Sequence, residues 1–167
     1  RMDAEETRGV IARLIERAAE RSLDMAEEPM VEDTAEFLDP ARFERERQQF
    51  FLDTPQVIGF AGEVQAPGSH LAVESAGVPV LVTRDADGAL RAFVNACAHR
   101  GAQIAHGRGT GSRLTCGFHG WTYSLDGRLA GRRADDCFEP AGDGCSLVKL
   151  PVSDRSGLLV IGLHPGM

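Results

Sequence analysis

The sequence predicts a mainly β protein, an antiparallel sandwich or barrel, preceded by a helical N-terminal extension. Three observations carry this. The spacing of apolar residues changes near residue 55, from a helical period to short alternating segments. Those segments are parted by turn signals such as "DADG", "TGS", "LDG" and "DRSG". A chain of 167 residues, 43% of them hydrophobic, can bury one sizeable core but not two full domains. The division that follows is a helical part, residues 1–55, and a strand part, residues 56–164.

Taken in order, residues Asp3 to Arg21 place Val10, Ile11, Leu14, Ile15 and Ala18 on one stripe with Glu and Arg elsewhere. This is an amphipathic helix that ends before Pro29; such a stripe can bind a partner, and packing on the chain's own strands is the commoner use and the expectation. A second helix opens at Asp39-Pro40, a capping residue followed by proline at the first helical position. It carries Phe43, Phe50 and Phe51 on one face, with the run "ERER" on the solvated side. The strands are "QVIGF", "HLAVES", "VPVLVTR", "LRAFVNA", "SRLTC", "WTYSL", "LVKLPVS" and "GLLVIGL". The last of these is the longest apolar stretch, is broken by Gly162 and is too short to cross a bilayer. A net charge of −7 disfavours nucleic-acid and anionic-membrane partners, which select clusters of Lys and Arg. No basic segment followed by an apolar one opens the chain, and Arg1-Met2 reads as a trimmed or engineered terminus, so a cytoplasmic location is the expectation.

Two stretches concentrate the chemistry: "NACAHRG" at 95–101 and "CGFHGWTY" at 116–123. A Cys-x-His pair and a Cys-x-x-His pair supply two thiolates and two imidazoles, a donor set open to tetrahedral zinc and to an iron–sulfur cluster alike. Glycines 101, 117 and 120 allow tight loops with backbone amides turned toward the centre, which suits bridging sulfides as hydrogen-bond acceptors. The 16 residues between His99 and Cys116 permit either metal. Both pairs fall where a strand gives way to a loop, so two hairpin tips could close over one centre. Cys137 and Cys145, in an acidic glycine-containing stretch, read as free thiols. His70, His106 and His164 pair with neither each other nor a carboxylate at helical spacing and read as ordinary surface or core residues.

On these motifs the sequence resembles the Rieske [2Fe-2S] family, and within it the N-terminal Rieske domain of a Rieske non-haem iron (aromatic ring-hydroxylating) oxygenase large subunit. The resemblance implies that Cys97 and Cys116 hold one iron and His99 and His119 the other. It gives Trp121 a capping role that keeps water from the cluster. Arg100 either meets a partner surface or a loop carbonyl or is purely structural, and Tyr123 belongs to the core. Exchanging two thiolates for neutral imidazoles leaves the oxidised cluster uncharged, which raises its potential above the roughly −400 mV of plant-type ferredoxins. The imidazoles titrate, so reduction should couple to proton uptake at high pH. Respiratory Rieske proteins add a disulfide where this chain has Ala102 and Phe118, and a Gly-Ser where it has Gly120-Trp121. The expected potential is therefore at the low end of the class, about −150 mV.

The likeness runs over residues 37–164, from a lead-in "DPARFERERQQFFLDTPQVIGFAGEVQAPGSHL" to "LPVSDRSGLLVIGL", and departs at Pro55-Gln56, where the family usually has tryptophan. It implies an electron relay from a reductase or ferredoxin fed by NAD(P)H to a mononuclear Fe(II) in a catalytic domain. No two-histidine, one-carboxylate set for that iron can be drawn from His70, His106 and His164, so the chain reads as the Rieske portion of a longer large subunit and by itself hydroxylates nothing. In the family the histidine edge meets a neighbouring catalytic domain inside a homo-oligomer, a trimer, which makes His99 and His119 interface residues too. Aromatic compounds are the family's common substrates. The rival readings are a stand-alone Rieske-type ferredoxin, against which the helical extension counts, and a structural zinc module.

Overall fold

Asp3 is a helix cap: its Oδ1 accepts from the backbone N–H groups of Glu5 and Glu6, both at 2.8 Å, while the Glu6 carboxylate accepts from the Asp3 N–H at 3.0 Å. That reciprocal box starts α1 (Ala4–Glu20), which Arg21 closes in a left-handed conformation. The structure, a computed structural model, describes residues 3–23, 25–132 and 145–166. None of the residues of α1 is buried, and Ile11, Leu14 and Ile15 are half to two-thirds exposed. No described helix is long and apolar enough to cross a membrane.

The chain forms two compact units, Arg1–Leu38 and Asp39–Met167. Residues 39–55 fall in the second unit. The first unit also holds the short α2 (Ala35–Leu38). In the second, Asp39 accepts from the Ala41 N–H and Pro40 opens α3 (Pro40–Glu46), which runs into a π-helical segment, Arg47–Leu52. Arg47 donates to the carbonyl of Ala76 at 3.2 Å, and Leu52 packs beside the core, which attaches the segment to the sheets.

Among the described residues all strand pairs are antiparallel. A five-stranded sheet has the order β5-β2-β3-β4-β9, built from β2 (Ser69–Ser75), β3 (Val78–Arg84), β4 (Leu90–Val94), β5 (Gly107–Thr110) and β9 (Lys149–Leu150). One three-stranded sheet joins β1 (Gln56–Phe60), β11 (Leu158–Ile161) and β10 (Val152–Arg155); another joins β6 (Arg113–Thr115), β7 (Thr122–Ser124) and β8 (Leu129–Gly131). Mainly β and antiparallel is thus the observed fold. The single expected strand "LVKLPVS" is two, because Pro151 has no N–H for a ladder: Leu150 pairs with Ala92 in one sheet and Val152 with Ile161 in another.

The alternation along β3 explains the layering. Val80 and Val82 point into one cluster with Leu71, Ala92, Leu159 and Ile161. Leu81, between them, points into another with Phe93, Leu114, Trp121, Tyr123 and Leu125. The five-stranded sheet is therefore covered on both faces, which is why "VPVLV" is nearly all apolar. Burying one such side chain contributes about 1.5–3 kcal/mol. Thr83 ties the sheets together from within, donating to the Leu125 carbonyl at 2.7 Å with both groups buried. Gly127 (φ +86°) is needed for the same contact surface, since a Cβ there would run into the Phe93 ring.

Candidate metal centre

The two motif stretches are loops that leave the same core. The first runs from the end of β4 to β5; the second caps the β6–β7 hairpin. Asn95 closes the first from inside: its Oδ1 accepts from the N–H groups of Ile104 and Ala105 at 3.0 and 3.3 Å, and its Nδ2 donates to the Ala105 carbonyl at 2.8 Å. The second is closed by the strand ladder and by a contact at 3.0 Å between the hydroxyls of Thr115 and Thr122.

Within these closures the backbones match. The Cys97 N–H donates to the Ala102 carbonyl, and the Gly101 N–H to the Cys97 carbonyl, both at 2.8 Å. The Cys116 N–H donates to the Trp121 carbonyl at 2.8 Å, and the Gly120 N–H to the Cys116 carbonyl at 3.0 Å. In each loop cysteine is bonded to the residues four and five positions on, and in each the fourth is a glycine in the left-handed region, φ +73° at Gly101 and +74° at Gly120. Gly101 and Gly120 are thus explained by backbone conformation; Gly117 is not.

The side chains then sort by depth. Cys97 and Cys116 are 3% and 2% exposed, in the core cluster with Trp121 and Tyr123. His99 is half-buried and His119 exposed, and their rings stand edge to face with centroids 4.7 Å apart. The Trp121 indole is stacked on His99, 5.0 Å between centroids and 7° from parallel, and the guanidinium of Arg132 lies 5.9 Å over the same indole. Phe118 is in contact with His119, centroids 4.0 Å apart. Two thiols at the base and two imidazoles at the rim form a donor set with the soft and borderline character that an iron–sulfur centre requires, and the residues fit one.

At His99 the electrostatics favour the neutral, ligating form. Loss of solvation, then the neighbouring charges of His119 and Arg100, hold the His99 pKa below its ordinary value, so the ring is neutral at pH 7. Tyr123, fully buried, has its hydroxyl 3.2 Å from the Cys97 sulfur and accepts from the Ala98 N–H at 3.0 Å. Either group of this pair can donate when Cys97 is a thiol; with Cys97 deprotonated as a ligand, the hydroxyl is the donor. Burial first, and then the bond to Cys97, push the Tyr123 pKa up, so this donor keeps its proton.

All the residues singled out by sequence, Cys97, His99, Arg100, Cys116, His119 and Trp121, lie at this one end. Arg100 is exposed, and its reach is electrostatic, through His99. Tyr123, given only a core role, and Asn95 were missed. Tyr123 continues the period-two row Trp121, Tyr123, Leu125, which marked it as inward-facing but not as a partner of Cys97. His70 is half-buried in the sheet, whereas His106 and His164 are exposed. Cys145 is a free, half-buried thiol beside the core, and Cys137 lies outside the described residues.

Comparison with known proteins gives this geometry its family. The Rieske [2Fe-2S] domain matches residues 54–150. The glycine betaine monooxygenase oxygenase subunit of Chromohalobacter salexigens is 34% identical over 128 residues, 75% of this chain and 28% of that protein. The quaternary ammonium Rieske monooxygenase CntA, solved with L-carnitine, has a TM-score of 0.75 at 29% identity over 80% of this chain and 39% of its own. Naphthalene 1,2-dioxygenase from Rhodococcus sp. shares the fold, with a TM-score of 0.72 at 24% identity over 98% of this chain and 36% of that one. The chain thus spans about a third of the length of these relatives. Matched loops, mixed thiol and imidazole donors and a family match across the strand unit lead to one conclusion: this chain belongs to the Rieske [2Fe-2S] domain family, in the form found in the oxygenase subunits of Rieske oxygenases.

Proposed function

We propose that the chain is the electron-relay domain of a Rieske oxygenase, taking electrons from a reductase or ferredoxin and delivering them to a mononuclear iron site outside residues 1–167. The observation that carries this reading is the pair of matched loops, with buried thiols below and facing imidazoles above. Cys97 and Cys116 would hold one iron, and His99 and His119 the other. A [2Fe-2S] cluster bound there supplies a one-electron carrier.

The chain's own residues set the conditions for that chemistry. Burial of both cysteines keeps water from the sulfurs, and Trp121 covers the inner face of His99. The Tyr123 hydroxyl stabilises negative charge on the Cys97 sulfur, and so favours the reduced state. His119, at the exposed rim, is a way out to a partner, in keeping with delivery across a subunit boundary in a homo-oligomer; a solved quaternary ammonium Rieske monooxygenase is described with inter-subunit electron transfer. A cytoplasmic setting, which keeps thiols reduced, goes with this reading.

For the substrate of the whole oxygenase, the proposal moves from aromatic rings to quaternary ammonium compounds. Relatives at 34% and 29% identity are named for glycine betaine and carnitine, while the naphthalene dioxygenase likeness, at 24%, is one of fold. The reading is tested by low-temperature EPR of the chain after dithionite reduction. A rhombic signal with an average g below that of all-cysteine [2Fe-2S] proteins is expected; a colourless, zinc-loaded protein without signal would sink it.

A further inference from the structure

The torsion that turns an imidazole about its own bond is broad, so the plane of a histidine ring is set by what surrounds it more than by its rotamer. His99 and His119 differ in this respect. His99 is half-buried, with the Trp121 indole stacked on it at 5.0 Å between centroids and 7° from parallel. His119 is exposed and meets Phe118 at a tilt of 38°. Trp121 is 5% exposed and Phe118 64%, so of the two rings His99 has the buried, flat surface that can fix its plane.

A stack fixes one ring only if the other is itself fixed. Trp121 precedes β7, and its carbonyl is held by the Cys116 N–H at 2.8 Å. Its side chain packs in the core cluster with both cysteines, Tyr123 and Leu125. The half-buried guanidinium of Arg132 lies over the indole, 5.9 Å from the centroid. A cation in that place is attracted by the negative face of the ring, and more strongly where water is partly excluded.

One extra residue brings Arg132 there. Thr122 pairs with Gly131 while its neighbour Tyr123 pairs with Leu129, so Ala130 is the added residue of a bulge in β8. In an even ladder Gly131 would stand opposite Trp121. The bulge moves the register on by one, and the position beside Trp121 becomes Arg132. Bulges re-aim side chains in this way, and they gather near functional sites.

We infer that Arg132 is a positioning residue for the metal centre: brought round by the β8 bulge, its guanidinium holds Trp121 flat against His99 and thereby fixes the plane of that imidazole. The inference rests on the electron-relay reading, in which His99 and His119 hold one iron. The plane of a bound imidazole sets its overlap with the metal and the direction of its outer N–H, and residues behind a ligand act through both.

The test is pulsed EPR of the cluster-loaded chain after dithionite reduction, which resolves the nitrogen couplings of the two imidazoles. In Arg132→Gln one coupling should shift or smear while the other keeps its parent value, at unchanged iron content. Arg132→Lys returns a cation to the indole and should restore most of the parent spectrum. In a Trp121→Leu background Arg132→Gln should add nothing, because residues that act through one another are not additive. If Arg132→Gln does not load its cluster, Arg132→Met, which keeps the apolar stem, takes the same test. Parent couplings in the neutral variant overturn the inference. So do equal shifts of both rings, a lysine variant no different from the neutral one, and an effect that survives without the indole. A parent chain with no mixed-ligand signal is a separate result, read first, and overturns the relay reading and this inference with it.

Discussion

The two loops at the metal centre share a backbone frame and differ in almost everything fastened to it. Each bonds cysteine to the residues four and five positions on, yet histidine stands two residues after Cys97 and three after Cys116. One loop is held by a buried side chain, Asn95, and the other by the ladder between β6 and β7. One imidazole is stacked under an indole and the other is exposed beside Phe118. The lesson is that a repeated backbone turn fixes where the sulfurs sit, while the offset of histidine decides which way each ring looks.

The comparison breaks most completely at the thiols. Cys97→Ala is expected to abolish cluster assembly, read as loss of visible absorbance and of bound iron; a full cluster in that variant would refute the ligand assignment. Next comes the offset itself. The double change His99→Ala with Arg100→His gives the first loop the spacing of the second and should remove the mixed-ligand EPR signal even if iron still binds. His119→Cys places a charged donor at the rim, and retained or weakened clusters should show a lower potential by voltammetry.

The unequal fastening of the loops is sharpened by Asn95→Ala. It leaves the amides of Ile104 and Ala105 without their buried acceptor and should cost about 3 kcal/mol in urea denaturation. Hydrogen exchange should rise more in the first loop than in the β6–β7 hairpin. Tyr123→Phe links the loops, since its hydroxyl belongs to the strand after the second and bonds the cysteine of the first. That variant should keep its cluster and lower the potential by about 60 mV, one tenfold step for a single electron.

The smallest effect lies away from the loops. Burial holds the His70 pKa below 6.5, so the folded chain takes up this proton less readily than the unfolded one. Stability from this group is present above pH 6.5 and declines as pH falls below it toward the depressed folded value. Thermal melts from pH 8 to 5 should show that decline, reduced in His70→Gln.

What could be read in the sequence follows from range. Cys97, His99, Cys116 and His119 were legible because each pair is local and its spacing is chemical. The strands "QVIGF" and "VPVLVTR" match β1 and β3 residue for residue, since alternation and β-branching act within five to seven positions. β5 and β8 were not legible: "GRGT" and "LAG" carry no apolar alternation and exist because partners β2 and β7 offer a ladder. The Asn95 closure and the Tyr123 bond to Cys97 cross up to 26 residues, and no local pattern encodes them. The stripe on α1 shows the converse, a strong local signal without burial to match it.

The double-sided sheet has one more consequence. Because Val80 and Val82 close one core and Leu81 the other, β3 cannot leave either without opening both. The layer under the metal loops and the layer formed by β1, β10 and β11 should therefore lose order together, in one cooperative transition. A substitution at Leu159, on the far side of the shared sheet from Tyr123, will then be felt at the cysteines as surely as one beside them.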